Sequence, residues 1–174
     1  MNTLFGKTDS IQIYVKDHGC FLDFKPVIRF MTVIPDYYVS IYGHIYSNKS
    51  KKILTHCYKY ESNKKTKERL KCVYVKLYVD LNLLSHEYAY TNTSKNKAKI
   101  HLDIHRGVIE AWKPLDENPP VSYEEWKVTP ESVKEIVRSS MIVDHIDADP
   151  TNNHVSNLRW VVCKENSPHR KGDI

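Results

Sequence analysis

The sequence is poor in cysteine, and its four cysteines are scattered, with no C-x-x-C pair among them. A zinc site made of four cysteines needs clustered ligands, so this class of site is excluded. Apolar runs are short as well, and none approaches the roughly 20 residues that a membrane-spanning helix needs. No signal peptide is recognisable at the N-terminus, so we expect reduced thiols and a cytoplasmic location rather than a disulfide framework.

What the sequence does contain is the composition of an ordinary globular protein. Hydrophobic residues account for 41% of the chain, which argues against wholesale disorder. A length of 174 residues is enough to bury a core in one domain or in two small ones. The formal net charge of +5 permits an anionic partner but does not require one.

Short runs of alternating apolar and polar residues in the first half of the chain predict β-strands. Residues 11–15, 27–30 and 37–40 alternate in this way and are separated by turn signals. The clearest alternation with a period of two runs over residues 73–79. The polar and basic segment 85–99 is expected to form a loop. Together these patterns predict an antiparallel sheet with aromatic faces.

Between residues 48 and 71 the charge turns strongly positive, and tyrosines are interleaved with the cations. A stretch of this kind is commonly a solvated hairpin whose lysines protect an edge strand. The alternative is a surface that contacts phosphate groups, and a nuclease site elsewhere in the chain would favour it. The basic residues are Lys49, Lys51, Lys52, Lys64, Lys65, Lys67, Arg69 and Lys71.

The second half of the chain carries helix signals. Residues 104–112 have helical spacing, and the proline-rich stretch 113–121 that follows is the best candidate for a linker. Ser122 and Glu125 have the form of a capping box, which predicts a short helical turn. Thr129 is a possible N-cap of another helix, with a proline and an acidic residue in its first turn.

The most informative stretch runs from Asp144 to Asn166. An apolar run delivers the adjacent pair Asp144 and His145, and a turn rich in Asp and Asn, a second apolar strand and Asn166 follow. Hydrolysis of a phosphodiester needs a nucleophilic water, charge stabilisation at the phosphate and help for the departing oxygen. A neutral imidazole can act as the general base, and a divalent cation can supply the rest. The oxygen atoms of Asp144 and Asn166 are ligands that Mg2+ prefers.

The order Asp-His, Asn-Asn, Asn-Leu-Arg-Trp-Val and a final Asn resembles the HNH nuclease motif, in the phage and intron-encoded homing branch. An isolated Asp-His pair is usually structural, but the joint order and spacing favour the nuclease. The resemblance implies that His145 is the general base and that Asp144 and Asn166 bind Mg2+ or Mn2+. It also implies that the Asn157 amide pins the hairpin and that Arg159 lies near the phosphate or buttresses the hairpin.

Two departures from the family pattern and two further matches bear on this resemblance. Ala148 replaces the usual glycine, which would stiffen the turn, and Asn166 stands where many members carry a histidine, which favours Mg2+ or Mn2+. Residues 38–47 are similar to the small sheet module that precedes HNH domains, and residues 105–112 resemble the helix before the catalytic hairpin. We expect His105 to be packed or to face phosphate rather than to be catalytic.

We therefore predict an α+β protein with two parts. An antiparallel β-sheet module with a basic hairpin, residues 1–99, would bind double-stranded DNA. Residues 100–174 would hold the helical connection and a C-terminal ββα-metal (HNH) site, with Arg106 and Arg159 as further DNA contacts. The predicted activity is that of a site-specific homing endonuclease, phage-encoded and acting in the host cell, that nicks as a monomer or cuts both strands as a homodimer. A restriction or defence nuclease and an inactive DNA-binding regulator are the alternatives.

Overall fold

Two antiparallel β-sheets, a separate β-hairpin and three helices make up the described part of the chain. The computed structural model describes residues 10–29, 32–63, 66–80, 82, 90–94 and 96–162, with only the backbone at 61–63, 66–70 and 90–94. The predicted α+β class is confirmed by this mixture of sheets and helices. No helix within these ranges is long and apolar enough to cross a membrane.

The first sheet is a five-stranded meander in which each strand pairs with the next along the chain. It contains the strands predicted from the alternation in the first forty or so residues. A tight turn at Gly43, whose φ is +88°, joins the third and fourth strands. The strands are β1 (Ile11–Val15), β2 (Cys20–Arg29), β3 (Thr32–Ser40), β4 (Ile45–Ser47) and β5 (Lys52–Ile53).

The second sheet has four antiparallel strands in the order β6-β7-β9-β8. The loop expected at 85–99 is wrong where the structure describes that segment, because two strands occupy most of it. In β9, Lys97 and Lys99 alternate with buried Ala98 and Ile100. The segment was predicted as a loop because the lysines of its outer face make it basic, although its other face is buried. The strands are β6 (Cys57–Asn63), β7 (Thr66–Asp80), β8 (Tyr90–Ser94) and β9 (Lys97–Asp103).

The basic stretch from Lys49 to Lys71 is not the single hairpin that the sequence predicted. Lys49 and Lys51 lie in the turn between β4 and β5 and Lys52 begins β5, all in the first sheet. Lys71 belongs to β7 of the second sheet. Leu54, which packs against the core and donates its N–H to the Ile45 carbonyl, separates the two groups.

The helices are α1 (Ile104–Trp112), α2 (Tyr123–Val128) and α3 (Glu131–Ser140). Helix α1 has the predicted bounds, and the capping box of Ser122 and Glu125 is present at the start of α2. The predicted N-cap Thr129 is wrong by one residue, since Pro130 precedes α3. The Thr129 hydroxyl instead donates to the Glu125 carbonyl at 2.7 Å and ends α2.

One hydrophobic core joins both sheets, helix α1 and the C-terminal hairpin. It contains Val39 and Ile45 of the first sheet, Leu77 of the second and Ile104 of α1, and Leu158 of the hairpin packs into the same cluster. Hydrogen bonds reinforce the junctions between elements, as the Trp112 indole donates to the Val39 carbonyl at 3.0 Å and the Trp160 indole to the Lys113 carbonyl at 2.8 Å. The division at residues 99 and 100 stays a prediction, and β9 runs across it.

Candidate active site in the C-terminal hairpin

In the hairpin of β10 (Met141–His145) and β11 (Leu158–Val162), the predicted metal ligand Asp144 lies on one strand beside the cation Arg159 on the other. Asp144 lies directly opposite Arg159 in the antiparallel register, and Oδ2 of Asp144 accepts from Nε and Nη2 of Arg159 at 2.9 and 2.8 Å. The Arg159 side chain is 58% exposed, so the pair contributes only about 0.2–1 kcal/mol to stability. Its main effect is to hold the Asp144 carboxylate in one position.

Asn157 closes the loop between the two strands. Its amide oxygen accepts from the Asp147 N–H at 3.1 Å, and its amide nitrogen donates to the Asp147 carboxylate at 2.9 Å and to the Asn152 carbonyl at 2.8 Å. Hydrogen bonds from the Asp149 N–H, Asn152 and Asn157 lower the pKa of Asp147. A charged Asp147 and a single amide therefore fix the path of the whole loop.

Ala148 adopts a left-handed conformation within this loop, with a φ of +60°. This is the position at which the sequence departs from the glycine of the family pattern. The left-handed region costs a residue with a Cβ about 1–2 kcal/mol. The Ala148 N–H donates to the His145 carbonyl at 3.0 Å, so the turn forms despite this cost.

The predicted general base His145 is held from two sides by residues that sequence reasoning did not assign to the site. Its Nε2 lies 3.1 Å from Oδ1 of Asn153, which is only 3% exposed. On the other side the rings of His105 and His145 meet edge to face, with centroids 5.3 Å apart. Asn153 was visible in sequence only as part of an Asn-rich turn, and His105 comes from a distant helix.

His105 is an uncharged residue beside His145. Burial lowers the pKa of His105, Asp103 raises it, and His145, Arg106 and Arg29 lower it, so that the pKa lies at about 4. Among the described residues, none donates to or accepts from its buried Nδ1. A charged imidazole at this position would repel a positive charge on the His145 ring, so an uncharged His105 suits the predicted role of His145 as a base.

We predict that His105 makes the fold less stable in acid. The unfolded chain binds a proton near the ordinary histidine pKa of 6.5, whereas the folded chain does so only near 4. The free energy of unfolding therefore falls as the pH drops through this window, by up to about 3 kcal/mol, and is unaffected above it. Urea denaturation at a series of pH values measures this slope.

The variant His105→Phe keeps an aromatic ring without a titrating group, so its stability should depend less on pH between 6.5 and 4. His101→Phe makes the same substitution at an exposed histidine of β9 and is the matched control. Identical slopes for wild type and His105→Phe would show that His105 is not the source.

The turn between β3 and β4 contacts the loop that joins the two hairpin strands. The Val155 N–H donates to the Ile41 carbonyl at 2.9 Å, and the rings of Tyr42 and His154 lie 4.8 Å apart. Gly43 packs so closely that a Cβ there would lie 3.2 Å from the Cβ of Asn153. The segment that the sequence singled out as an upstream sheet module thus contacts the candidate site directly.

The structure brings Asp144, His145, Asn157 and Arg159 together in one hairpin. Arg106 lies beneath it, 5.3 Å from the Trp160 ring and 3.5 Å from Glu110, with its side chain 21% exposed. Lys49 lies 3.3 Å from Asp36, and Lys51 donates to Asn48 at 2.6 Å, in the first sheet. Asn166, Lys64 and Lys65 lie outside the described residues, as do the side chains of Lys67 and Arg69.

The donors present in the hairpin fit a hard divalent cation that keeps most of its water. Asp144 supplies one carboxylate, and the described ranges contain no group of three His, Cys, Asp or Glu side chains able to hold a metal ion. Mg2+ binds readily through one or two protein oxygens together with substrate phosphates, whereas a structural zinc site needs four closed ligands. The Asp144 carboxylate is therefore a donor that suits a hard divalent cation.

A comparison with protein families identifies the same segment. Residues 135–167 match the family model for HNH endonucleases, which spans the end of α3, both hairpin strands and the loop between them. A structure of the HNH homing endonuclease I-HmuI, described as binding and cleaving DNA, is similar to this chain, with 25% sequence identity and a TM-score of 0.41. The similarity covers 76% of this chain and 49% of that one, so the chain spans about half of its length. Among curated proteins, none matches significantly.

Proposed function

We propose that this chain, whose residues 135–167 match the family model for HNH endonucleases, hydrolyses phosphodiester bonds of double-stranded DNA in the manner of a homing endonuclease. The observation that carries the proposal is the adjacent pair of Asp144 and His145. The first is held by Arg159 and the second by Asn153 and His105, on a hairpin whose loop is closed by Asn157. An acid and a neutral imidazole side by side are what metal-assisted phosphodiester hydrolysis requires.

Each side chain has a distinct part in the proposed reaction. His145 takes a proton from the attacking water, and Asp144, with Asn166, would hold Mg2+ or Mn2+. That ion would stabilise the charge on the phosphate and on the departing 3′-oxygen. Arg159, exposed and beside Asp144, is available to contact a phosphate oxygen of the bound DNA. Asn157 acts on the backbone of the loop and touches no reacting atom.

Incubation with supercoiled plasmid tests this activity. In the presence of Mg2+ or Mn2+ we expect open-circular or linear DNA, and EDTA should abolish the product because the carboxylate of Asp144 alone cannot stabilise the leaving group. Nicked circles would indicate action by a monomer, and linear product cut in both strands would indicate a dimer. Cleavage that persists in EDTA, or no cleavage of plasmid or of genomic DNA with either ion, would contradict the proposal.

The outer face of the second sheet is the DNA-binding surface that we propose in addition to the basic turn at Lys49–Lys52. On β7 and β9 the inward side chains are buried, and cations and aromatic rings alternate on the other side. Lys76 pairs across the strands with His101, and Tyr78 with Lys99. Cross-strand partners share one face of a sheet, so these four side chains form a single patch.

The chemistry of this patch suits a phosphate backbone. Lys76 and His101 are exposed, Tyr78 is 48% exposed, and the ring of Tyr74 lies 4.8 Å from that of His101. Lysine ammonium and tyrosine hydroxyl groups both contact phosphate oxygens in protein–DNA interfaces. Two lysines on a rigid pair of strands are therefore expected to neutralise two phosphates of a bound duplex.

We predict that Lys76→Gln combined with Lys99→Gln weakens DNA binding and flattens its salt dependence. Each lost phosphate contact should lower the slope of log K against log salt by about 0.9, hence by about 1.8 for the pair. Fluorescence anisotropy with a labelled duplex at several salt concentrations measures both quantities. Lys127→Gln with Lys134→Gln removes the same charge from α2 and α3. An equal loss of slope in both double variants would show that only net charge matters.

A further inference from the structure

We propose that Asn153 is a positioning residue that fixes the tautomer of His145, so that Nδ1 rather than Nε2 is the basic nitrogen of the nuclease. The part that concerns the base rests on the proposed function. The part that concerns the tautomer rests on hydrogen bonds of the protein alone, and the two parts can be tested separately.

The direction of the Asn153 amide follows from its other contacts. Its Nδ2 lies 3.1 Å from the Thr151 carbonyl and 3.4 Å from the Pro150 carbonyl. Carbonyl oxygens only accept hydrogen bonds, so the atom that faces them must be the donating nitrogen. The remaining amide atom, Oδ1, then faces Nε2 of His145 at 3.1 Å.

An amide oxygen can only accept, and therefore Nε2 of His145 must donate. A neutral imidazole carries one hydrogen, so a protonated Nε2 leaves the lone pair on Nδ1. Asn153 thus selects one of two tautomers of His145. This is the same kind of selection that a hydrogen-bond acceptor beside a metal-binding histidine makes.

The Asn153 side chain is confined by its surroundings. Asn153 is 3% exposed, and its Cβ lies against Gly43, where an added Cβ would lie 3.2 Å away. The rings of His145 and His105 of α1 meet edge to face, with centroids 5.3 Å apart. A rotated Asn153 amide would lose its hydrogen bonds to the Thr151 and Pro150 carbonyls, and a rotated His145 ring would lose its contact with His105.

The protonated Nε2 also serves the reaction itself. The water proton would move to Nδ1, the hydroxide would form the new bond to phosphorus, and the bond from phosphorus to the 3′-oxygen would break. The departing oxygen would then take a proton from water. The positive charge gained by His145 would be partly stabilised by the Nε2 hydrogen bond to the Asn153 oxygen.

The tautomer is measured directly in the full chain by nitrogen-15 NMR of its histidines, without DNA and at a pH at which histidine side chains are ordinarily neutral. Comparison with His145→Gln assigns the signal. We expect an unprotonated Nδ1 and a protonated Nε2 in the wild type. The opposite tautomer, or an even mixture of the two, would overturn the proposal. This result does not depend on cleavage, so a wild type that cuts no DNA would refute the nuclease and leave the tautomer to be decided by NMR.

Three variants connect the tautomer to the rate of plasmid nicking. Asn153→Leu has a similar shape without an acceptor, so we expect more of the Nδ1-protonated tautomer and a single-turnover rate lower by about 10- to 100-fold. Asn153→Asp keeps the acceptor but loses the hydrogen bonds to the Thr151 and Pro150 carbonyls, so it should keep Nε2 protonated while the fold becomes less stable. Asn118→Leu, at an exposed asparagine outside the hairpin, is the control and should keep the wild-type tautomer and rate. The affinity for DNA should be the same in all three.

The two readouts together separate positioning from a merely structural role. A lower rate in Asn153→Leu with an unchanged tautomer would overturn the proposal, as would an unchanged rate with a changed tautomer. If Asn153→Leu does not fold, the tautomers of the wild type and of Asn153→Asp decide the question. An unprotonated Nε2 in Asn153→Asp would also contradict the proposal.

Discussion

Replacement of His145 by alanine is expected to slow single-turnover nicking of supercoiled plasmid by about 100- to 10,000-fold, the range that general base catalysis contributes. The substitution removes the imidazole that takes the water proton and leaves the Asp144–Arg159 pair in place. DNA affinity should stay close to that of the wild type, since His145 is only partly exposed and binds no phosphate in the proposed reaction. Rapid-quench gel assays with enzyme in excess over plasmid give the rate constant without interference from product release.

The neighbouring histidine of the same loop provides a matched control. His154 accepts from the Ser156 N–H and contacts the Tyr42 ring, so His154→Ala should cost about 0.5–1.5 kcal/mol of stability through the lost hydrogen bond. It should leave the cleavage rate of the folded protein within a few-fold of the wild type. Equal rates for wild type and His145→Ala would remove His145 from the reaction, and an equal loss in both histidine variants would indicate damage to the loop.

Replacement of Gly43 by alanine is expected to lower the free energy of unfolding by about 2–4 kcal/mol. The φ of +88° is unfavourable for any residue with a side chain, and the new Cβ would lie 2.7 Å from the Ile104 side chain and 3.2 Å from the Cβ of Asn153. Ile104 is fully buried at the start of α1, so it cannot move away without disturbing the core. Urea denaturation followed by circular dichroism measures the change.

Gly19 separates the two causes of this loss. Its φ of +63° is also left-handed, but nothing lies within 4 Å of the position that a Cβ would take. Gly19→Ala should therefore lose only about 1–2 kcal/mol from backbone strain. If Gly43→Ala were no less stable than Gly19→Ala, the close packing between the β3–β4 turn, Ile104 and Asn153 would carry no energetic weight.

Local patterns in the sequence were sufficient for strands in both sheets and for α1. The alternation over residues 73–79 and the helical spacing over 104–112 are properties of neighbouring residues, so each can be recognised without knowledge of the fold. The same holds for the capping box of Ser122 and Glu125, which involves four consecutive residues. In the candidate site, Asp144, His145 and Asn157 belong to one short motif and come together in one hairpin.

The missed features depend on contacts between residues that are far apart in the chain. His105 reaches His145 only because α1 packs against the hairpin, and Gly43 reaches Asn153 only because the β3–β4 turn does so. The basic stretch was interpreted wrongly as one hairpin. Its charge does not show that Leu54 packs against the core and divides the stretch between two sheets. Polar composition likewise concealed β9, where only one face is polar.

The backbone hydrogen bond from Val155 to Ile41, together with the Tyr42–His154 ring contact, bears on how this hairpin could be transferred to another protein. A hairpin transferred alone to another DNA-binding protein would keep Asp144 and His145 but would lose the β3–β4 turn that packs against its loop. A functional transfer would therefore need to carry two segments that are far apart in the chain, the β3–β4 turn and the hairpin, because they contact each other directly.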